Sequence, residues 1–122
     1  AIPEDKDFTI RTLLGDQISK RDYLGKIIIL DFWSSWCIPC IQEGPVLSNL
    51  SKEWSDRNVQ FIGVSVWDTK ENVLDFIKQN DIQYPNAIDK NGQIAIDFGV
   101  RGIPEKIIIN IRMFFFRFYN IN

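Results

Sequence analysis

Runs of apolar residues divide the chain into buried strands and amphipathic helices. Residues 27–33 and 59–66 are apolar at most positions, which is typical of strands buried on both faces. Apolar residues recur at helical spacing over about 38–54 and over 69–78, and these segments are predicted helices. Residues 106–110 predict a further strand. This alternation predicts a layered α/β domain with parallel pairing in its first half.

Shorter patterns predict the smaller elements. Residues 8–11 alternate like an edge strand, and residues 14–17 have the composition of a turn. A brief helical turn is predicted over 19–22, a short extended piece over 84–89 and a short helix over 92–98. The sequence therefore predicts an N-terminal β extension, and an inserted βα segment between the second and third long strands.

Composition limits the classes of protein that fit this pattern. The chain has 122 residues, 45% of them apolar and 25% charged, which suits one soluble domain over residues 1–122. Its net charge of −2 gives no electrostatic footprint for nucleic acid or for an anionic membrane. No signal peptide and no apolar run of about 20 residues is visible. We therefore expect a mature or trimmed soluble domain, from which any preceding membrane anchor has been removed.

Cys37 and Cys40 are the two cysteines of the chain, and they flank the predicted start of a helix. The chain has no histidine, which excludes a Cys–His dyad and the usual mixed zinc sites, so neither a metal nor a cofactor is predicted. Two thiols at this spacing can close a disulfide reversibly. The partial positive charge of a helix N-terminus favours a thiolate there. A redox couple is therefore predicted, with two incidental buried thiols as the alternative.

Two motifs carry a resemblance to a known family. Phe-Trp-Ser-Ser-Trp-Cys-Ile-Pro-Cys at 32–40, followed by Val-Arg-Gly-Ile-Pro-Glu at 100–105, resembles the thioredoxin superfamily. The lead-in over 7–19 and 22–30 narrows the resemblance to the TlpA/ResA/CcmG-like branch, and it covers about residues 2–110. The resemblance implies a thioredoxin-like α/β fold with a central mixed sheet flanked by helices. It also implies an extracytoplasmic thiol–disulfide oxidoreductase, often membrane-tethered and often serving cytochrome c maturation.

The resemblance assigns roles to the cysteines and to two acids. Cys37 is the expected nucleophile, with its sulfur accessible to solvent at or just before the first helical position. Cys40 is the expected resolving thiol, one turn further in and less exposed. Asp31, six residues before Cys37, matches a buried acid that accepts the proton of Cys40 through water; an exposed strand carboxylate is the alternative. Glu43 matches an active-site glutamate of the ResA-like group, and a solvated surface glutamate is the alternative.

A second group of residues is predicted to receive the partner protein. Pro104 matches the cis-proline of the superfamily, and the backbone of Ile103 is expected to pair with an extended partner peptide. Trp36 is expected to form part of the docking surface. The remaining candidates are Ile38 and Pro39, which lie between the cysteines, and Glu105, which follows the proline. For Glu105, a surface position without a role in the site is the alternative. Pro39 also fixes the first helical turn.

The C-terminal segment departs from the family pattern. Residues 114–119 predict a strand antiparallel to 106–110, but no closing helix follows in 111–122. A sheet face left partly bare would favour self-association or a partner. A truncated or out-of-frame C-terminus is the alternative explanation.

The predicted partners are protein thiols and disulfides, with apocytochrome c and a membrane thiol donor suggested by the resemblance. Two other functions fit parts of the sequence. A peroxiredoxin-like thiol peroxidase shares the lead-in to Trp33, but Trp-Cys-x-x-Cys replaces the peroxidatic Thr-x-x-Cys pattern. A truncated thioredoxin-like domain that binds partners without redox cycling is the third hypothesis.

Overall fold

The computed structural model describes residues 7–110 and 114–118. Its elements, in chain order, are β1 (Thr9–Arg11), β2 (Gln17–Ser19), a 3₁₀ turn (Lys20–Tyr23), β3 (Ile27–Trp33), α1 (Ile38–Glu53), β4 (Val59–Val66), α2 (Lys70–Asn80), β5 (Asn86–Asp89), α3 (Gln93–Asp97), β6 (Glu105–Asn110) and β7 (Phe114–Phe118). Within this part of the chain, none of the helices combines the length and the apolar character that a membrane crossing requires.

The central sheet is mixed, as predicted. Its strand order is β5-β4-β3-β6-β7, and β1 pairs with β2 in a separate antiparallel ribbon. The strands β3, β4 and β5 run parallel, whereas β6 and β7 are antiparallel to their neighbours. In the central strand, Asp31 lies between Gly63 of β4 and Lys106 of β6. This register places an acid and a base side by side in the middle of the sheet.

Apolar side chains cover both faces of β3, which explains its nearly continuous apolar sequence. Ile28, Leu30 and Phe32 belong to the larger core, which also includes residues of β1, α3 and β6. On the opposite face, Ile29 packs in a cluster with Leu47 of α1. Because side chains alternate along a strand, Asp31 shares the face that α1 covers.

The predicted long elements are confirmed, with small differences at their ends. The strands β3 and β4 have the predicted bounds, and α2 begins after Thr69, whose hydroxyl accepts a hydrogen bond from the backbone N–H of Asn72 at 3.3 Å. The prediction of a turn over 14–17 was wrong at its end, because Gln17 begins β2. A three-residue strand without a buried side chain leaves no alternation pattern in the sequence.

The predicted C-terminal strand is confirmed as β7, which pairs antiparallel with β6. The last residue of that prediction, Tyr119, and residues 120–122 lie outside the described part of the chain. The predicted absence of a closing helix and the predicted self-association through that face concern the same region, so they stay predictions.

Candidate redox site

A disulfide joins Cys37 and Cys40 at the start of α1. Cys37 is the N-cap residue, and Pro39 lies in the first turn, where a missing N–H is tolerated. Cys37 is 7% exposed and Cys40 is 3% exposed. The predicted order of exposure is correct, but the expected solvent access of Cys37 is wrong in this oxidised state. Trp33 and Val73 pack in one buried cluster with the two cysteines.

The loop before β6 faces the disulfide. The Ile103–Pro104 peptide bond is cis, as the resemblance implied. The carbonyl oxygen of Ile103 lies 4.0 Å from Sγ of Cys37. The structure thus brings together the cysteine pair and the loop that the sequence separates by more than sixty residues.

Trp36 and Ile38 lie on the outer surface beside the disulfide, where they are 58% and 69% exposed. The indole N–H of Trp36 donates a hydrogen bond to the backbone carbonyl of Trp67 at 3.0 Å, which fixes the orientation of the exposed ring. A groove of about 260 Å³ begins at these two tryptophans and runs to Ile103. Of the residues predicted for docking, Trp36 and Ile103 line this groove, whereas Ile38 and Pro39 do not.

Glu105 does not belong to that surface. Its side chain is buried, and its Oε1 accepts a hydrogen bond from the backbone N–H of Arg101 at 3.3 Å. The surface alternative is therefore wrong, and Glu105 shapes the loop that carries Ile103 and Pro104 instead of facing a partner.

Asp68 holds the loop in front of the cysteines. Its carboxylate accepts hydrogen bonds from both the backbone N–H and the hydroxyl of Ser35, each at 2.7 Å. Ser65 and the backbone N–H of Thr69 also donate to it, at 2.6 and 2.8 Å. Partial burial opposes the ionised form, but these hydrogen bonds outweigh that effect and lower the pKa of Asp68. This anchor was not predicted, because its partners lie in the loop after β3, in β4 and at the N-cap of α2.

Asp31 lies behind the disulfide and is buried, which excludes the exposed-strand alternative. It lines a small cavity of about 10 Å³ together with Cys40 and the indole of Trp33. That volume is close to the minimum that holds one water molecule. Burial is the main cause that raises the pKa of Asp31 to about 6; the charge of Lys106 opposes this rise and the charge of Glu43 adds to it.

Glu43 and Lys106 complete a buried charged cluster with Asp31. Nζ of Lys106 contacts both carboxylate oxygens of Glu43 and lies 3.5 Å from Oδ1 of Asp31. The lysine side chain is 1% exposed, and the surface alternative for Glu43 is excluded because Glu43 is also buried. Sequence reasoning placed Lys106 only at the start of a strand. The available signal was a lysine that opens a run of isoleucines in a predicted strand.

Asn86 and Tyr84 also line the cavity, and neither was singled out from the sequence. Oδ1 of Asn86 accepts a hydrogen bond from the indole N–H of Trp33 at 3.2 Å, and its amide N–H donates to the backbone carbonyl of Tyr84 at 3.2 Å. Burial, followed by the charges of Asp31 and Glu43, raises the pKa of Tyr84. The phenol therefore stays neutral beside the acid.

A cysteine pair at the first turn of a helix, opposite a cis-proline loop on a mixed sheet, defines a thioredoxin-like redox protein. Solved structures share the fold. A secreted disulfide oxidoreductase of Mycobacterium tuberculosis, homologous to E. coli DsbE, superposes with a TM-score of 0.83 at 25% identity, covering 93% of this chain and 83% of that chain. StoA of Bacillus subtilis has a TM-score of 0.74 at 27% identity, covering 90% and 84%.

Sequence comparison places the chain in a family. The AhpC/TSA family matches residues 4–115, and the chain belongs to this family. The thiol-disulfide oxidoreductase ResA of Bacillus thuringiensis subsp. konkukian is 35% identical over 107 residues, which cover 88% of this chain. Those residues cover 62% of that relative, so the chain spans less than two thirds of its length.

Proposed function

We propose that the protein is a thiol–disulfide oxidoreductase that reduces disulfides in client proteins. The observation that carries this proposal is the cysteine pair at the N-terminus of α1, with Sγ of Cys37 4.0 Å from the carbonyl oxygen of Ile103. A client strand paired with the backbone of Ile103 would present its own disulfide next to Cys37. Trp36, Ile38 and Pro39 would contact the residues that flank the client cysteine.

The reaction balances as a two-electron exchange. In the reduced protein, the Cys37 thiolate attacks one client sulfur, and the other client sulfur leaves as a thiolate. Cys40 then gives up its proton and attacks the sulfur of Cys37. The mixed disulfide breaks, the client leaves with its second thiolate, and the bond between Cys37 and Cys40 forms. Two electrons pass to the client, whose thiolates take up protons.

Asp31 is the proposed acceptor of the Cys40 proton. The two residues line the same water-sized cavity, and a water there would connect the thiol to the carboxylate. A carboxylate with a pKa of about 6 is largely ionised at pH 7 and can take the proton, yet it is basic enough to hold it briefly. Glu43 does not line this cavity, so its proposed role is indirect.

The setting of this reaction is proposed from relatives. We infer that the protein works outside the cytoplasm, because a solved relative of the same fold is a secreted disulfide oxidoreductase homologous to DsbE. Oxidised apocytochrome c is the favoured client, and a membrane thiol donor is the favoured source of electrons. Both rest on the resemblance to ResA and DsbE.

The proposal predicts different defects for the two cysteine variants. Wild-type protein with dithiothreitol should accelerate the reduction of insulin disulfides, and Cys37→Ser should return the rate to that of dithiothreitol alone. Cys40→Ser should accumulate a mixed disulfide with an oxidised apocytochrome c peptide, because Cys37 still attacks but nothing resolves the product. The trapped species is measured by mass spectrometry. Since each variant retains one thiol, each serves as the control for the other.

The alternatives give distinct results in the same assays. Sustained peroxide consumption by the wild-type protein, supplied with a thiol reductant and without a client, would support the thiol peroxidase. Client capture without insulin reduction would support a binding-only domain. A redox titration of the pair against glutathione buffers then gives the direction of electron flow. A midpoint near −270 mV, typical of thioredoxin, fits a reductant, whereas one near −120 mV, typical of DsbA, would contradict the proposed direction.

A further inference from the structure

Three ionisable side chains meet in the interior behind the disulfide. Asp31 comes from β3, Glu43 from α1 and Lys106 from β6, and each side chain is at most 4% exposed. Lysines are rarely buried so completely unless they are paired. Here the ammonium group contacts both oxygens of Glu43, whereas it reaches only Oδ1 of Asp31, at 3.5 Å.

The geometry divides the two acids into different roles. One ammonium can neutralise one carboxylate, and an unpaired charge in the interior is costly. The two-oxygen contact makes Glu43 the neutralised partner. Within the described part of the chain, the ammonium group at 3.5 Å is the only charged partner of Asp31 Oδ1, and the Asp31 side chain lines the cavity shared with Cys40. Asp31 is therefore the acid whose proton can change during the reaction.

We infer that Lys106 is a positioning residue of this redox site, which holds Glu43 as an ion pair and leaves Asp31 as the acceptor of the Cys40 proton. The inference rests on the proposed function. In the resolving step, the thiol proton of Cys40 passes through the cavity to Asp31. The Cys40 sulfur bonds to the Cys37 sulfur, the mixed disulfide breaks, and the client sulfur leaves as a thiolate. The proton later leaves Asp31 for solvent. Lys106 exchanges no proton and touches no reacting sulfur.

The charges around Asp31 make this role measurable. Lys106 faces it from β6, Glu43 and the reduced Cys40 face it from α1, and Tyr84 faces it as a neutral phenol from the segment before β5. Removing the lysine would leave two carboxylates facing each other, so Asp31 would keep its proton to higher pH. Removing the charge of Glu43 would leave the lysine for Asp31 alone, so Asp31 would lose its proton at lower pH.

The first test is a carbon-13 NMR titration of aspartate carboxyl groups in the oxidised protein, which needs no client. The Asp31 signal is assigned by its absence in Asp31→Asn. Its midpoint should rise by about one pH unit or more in Lys106→Met and fall in Glu43→Gln. The double variant should return towards the wild-type midpoint. Lys52→Met, which removes a surface ion pair with Asp81, is the matched control and should leave the midpoint unchanged.

The second test follows the resolving step directly. Reduced protein is mixed with 5,5′-dithiobis(2-nitrobenzoate), whose first thiolate reports attack by Cys37 and whose second reports attack by Cys40. The pH profile of the second release should move upwards in Lys106→Met and downwards in Glu43→Gln, whereas the first release should keep its profile. A purely structural lysine would change stability and leave both profiles unshifted, which would overturn the inference.

The outcomes separate the two proposals. If the wild-type protein reduces insulin but the Asp31 midpoint is the same in all variants, the role of Lys106 is wrong and the proposed function stands. If the wild-type protein releases no second thiolate, the proposed function fails. If Lys106→Met does not fold, the Glu43→Gln variant provides the test, because it retains the lysine. The inference then requires that the Asp31 midpoint falls in Glu43→Gln, and an unchanged midpoint would overturn it.

Discussion

The side chain of Asn86 can cross β4 only because residue 63 is a glycine. A Cβ atom at Gly63 would overlap with Oδ1 of Asn86 and lie 3.1 Å from the indole nitrogen of Trp33. Asn86 is also the acceptor that fixes Trp33 beside the disulfide. The absence of a side chain at Gly63 on β4 therefore helps to set the shape of the cavity behind the cysteines.

Gly63→Ala should accordingly destabilise the protein and loosen Trp33. We expect the free energy of unfolding in urea to fall by about 1–3 kcal/mol, the usual range for overpacking a core. Gly102→Ala is the matched control, because a Cβ at that position meets nothing within 4 Å. Its effect should stay within about 0.5 kcal/mol. Equal effects of the two substitutions would contradict the role of Gly63.

At the scale of elements, the long strands and helices could be predicted because their apolar spacing is strong and local. The proximity of Asp31 to Cys40 was predicted from the family resemblance. Lys106 could not be found in the same way, because its partners depend on the antiparallel register of β6 against β3. The isoleucines after Lys106 indicate a buried strand, but only the strand pairing shows which acids the lysine contacts.

Hydrogen bonds to the carboxylate of Asp68 connect the loop after β3 to the loop after β4. Asp68→Ala removes the acceptor shared by Ser35, Ser65 and Thr69. Because water replaces part of the loss at this half-buried site, we expect a decrease of about 1–2 kcal/mol in the free energy of unfolding at pH 7. Asp56→Ala, at an exposed position, is the control.

The effect of Asp68 should depend on pH in a defined direction. Its pKa is lower in the folded protein than in the unfolded chain, so the ionised carboxylate stabilises the fold. The stabilisation is complete above about pH 4, the unfolded value. It is lost as the pH falls through the folded value. A difference from the wild type that persists at pH 2 would indicate a contribution other than these charge-assisted hydrogen bonds.

For the whole molecule, Asp31 works against stability at neutral pH. Its pKa of about 6 in the folded protein exceeds the value of about 4 in the unfolded chain. The folded state therefore binds the proton more tightly, and the free energy of unfolding falls as the pH rises from about 4 to about 6. Above that interval, the ionised buried acid costs roughly 3 kcal/mol. The proposed proton acceptor therefore lowers the stability of the fold at neutral pH.

Asp31→Asn should consequently stabilise the oxidised protein at pH 7.5 while slowing its resolving step. The expected gain is about 2–3 kcal/mol at pH 7.5 and close to zero at pH 4, where wild-type Asp31 is protonated. Urea unfolding at the two pH values measures it. An equal change at both would mean that the substitution acts through packing and not through the buried charge.

The position of Trp33 beside the cysteine pair affects the fluorescence of the protein. Its indole ring lies in the same buried cluster as the cysteine pair, shielded from water and held by Asn86. A disulfide accepts an electron from an excited indole nearby, whereas two thiols do so less readily. We therefore expect the fluorescence that Trp33 adds to the emission of the four tryptophans to rise when the disulfide is reduced.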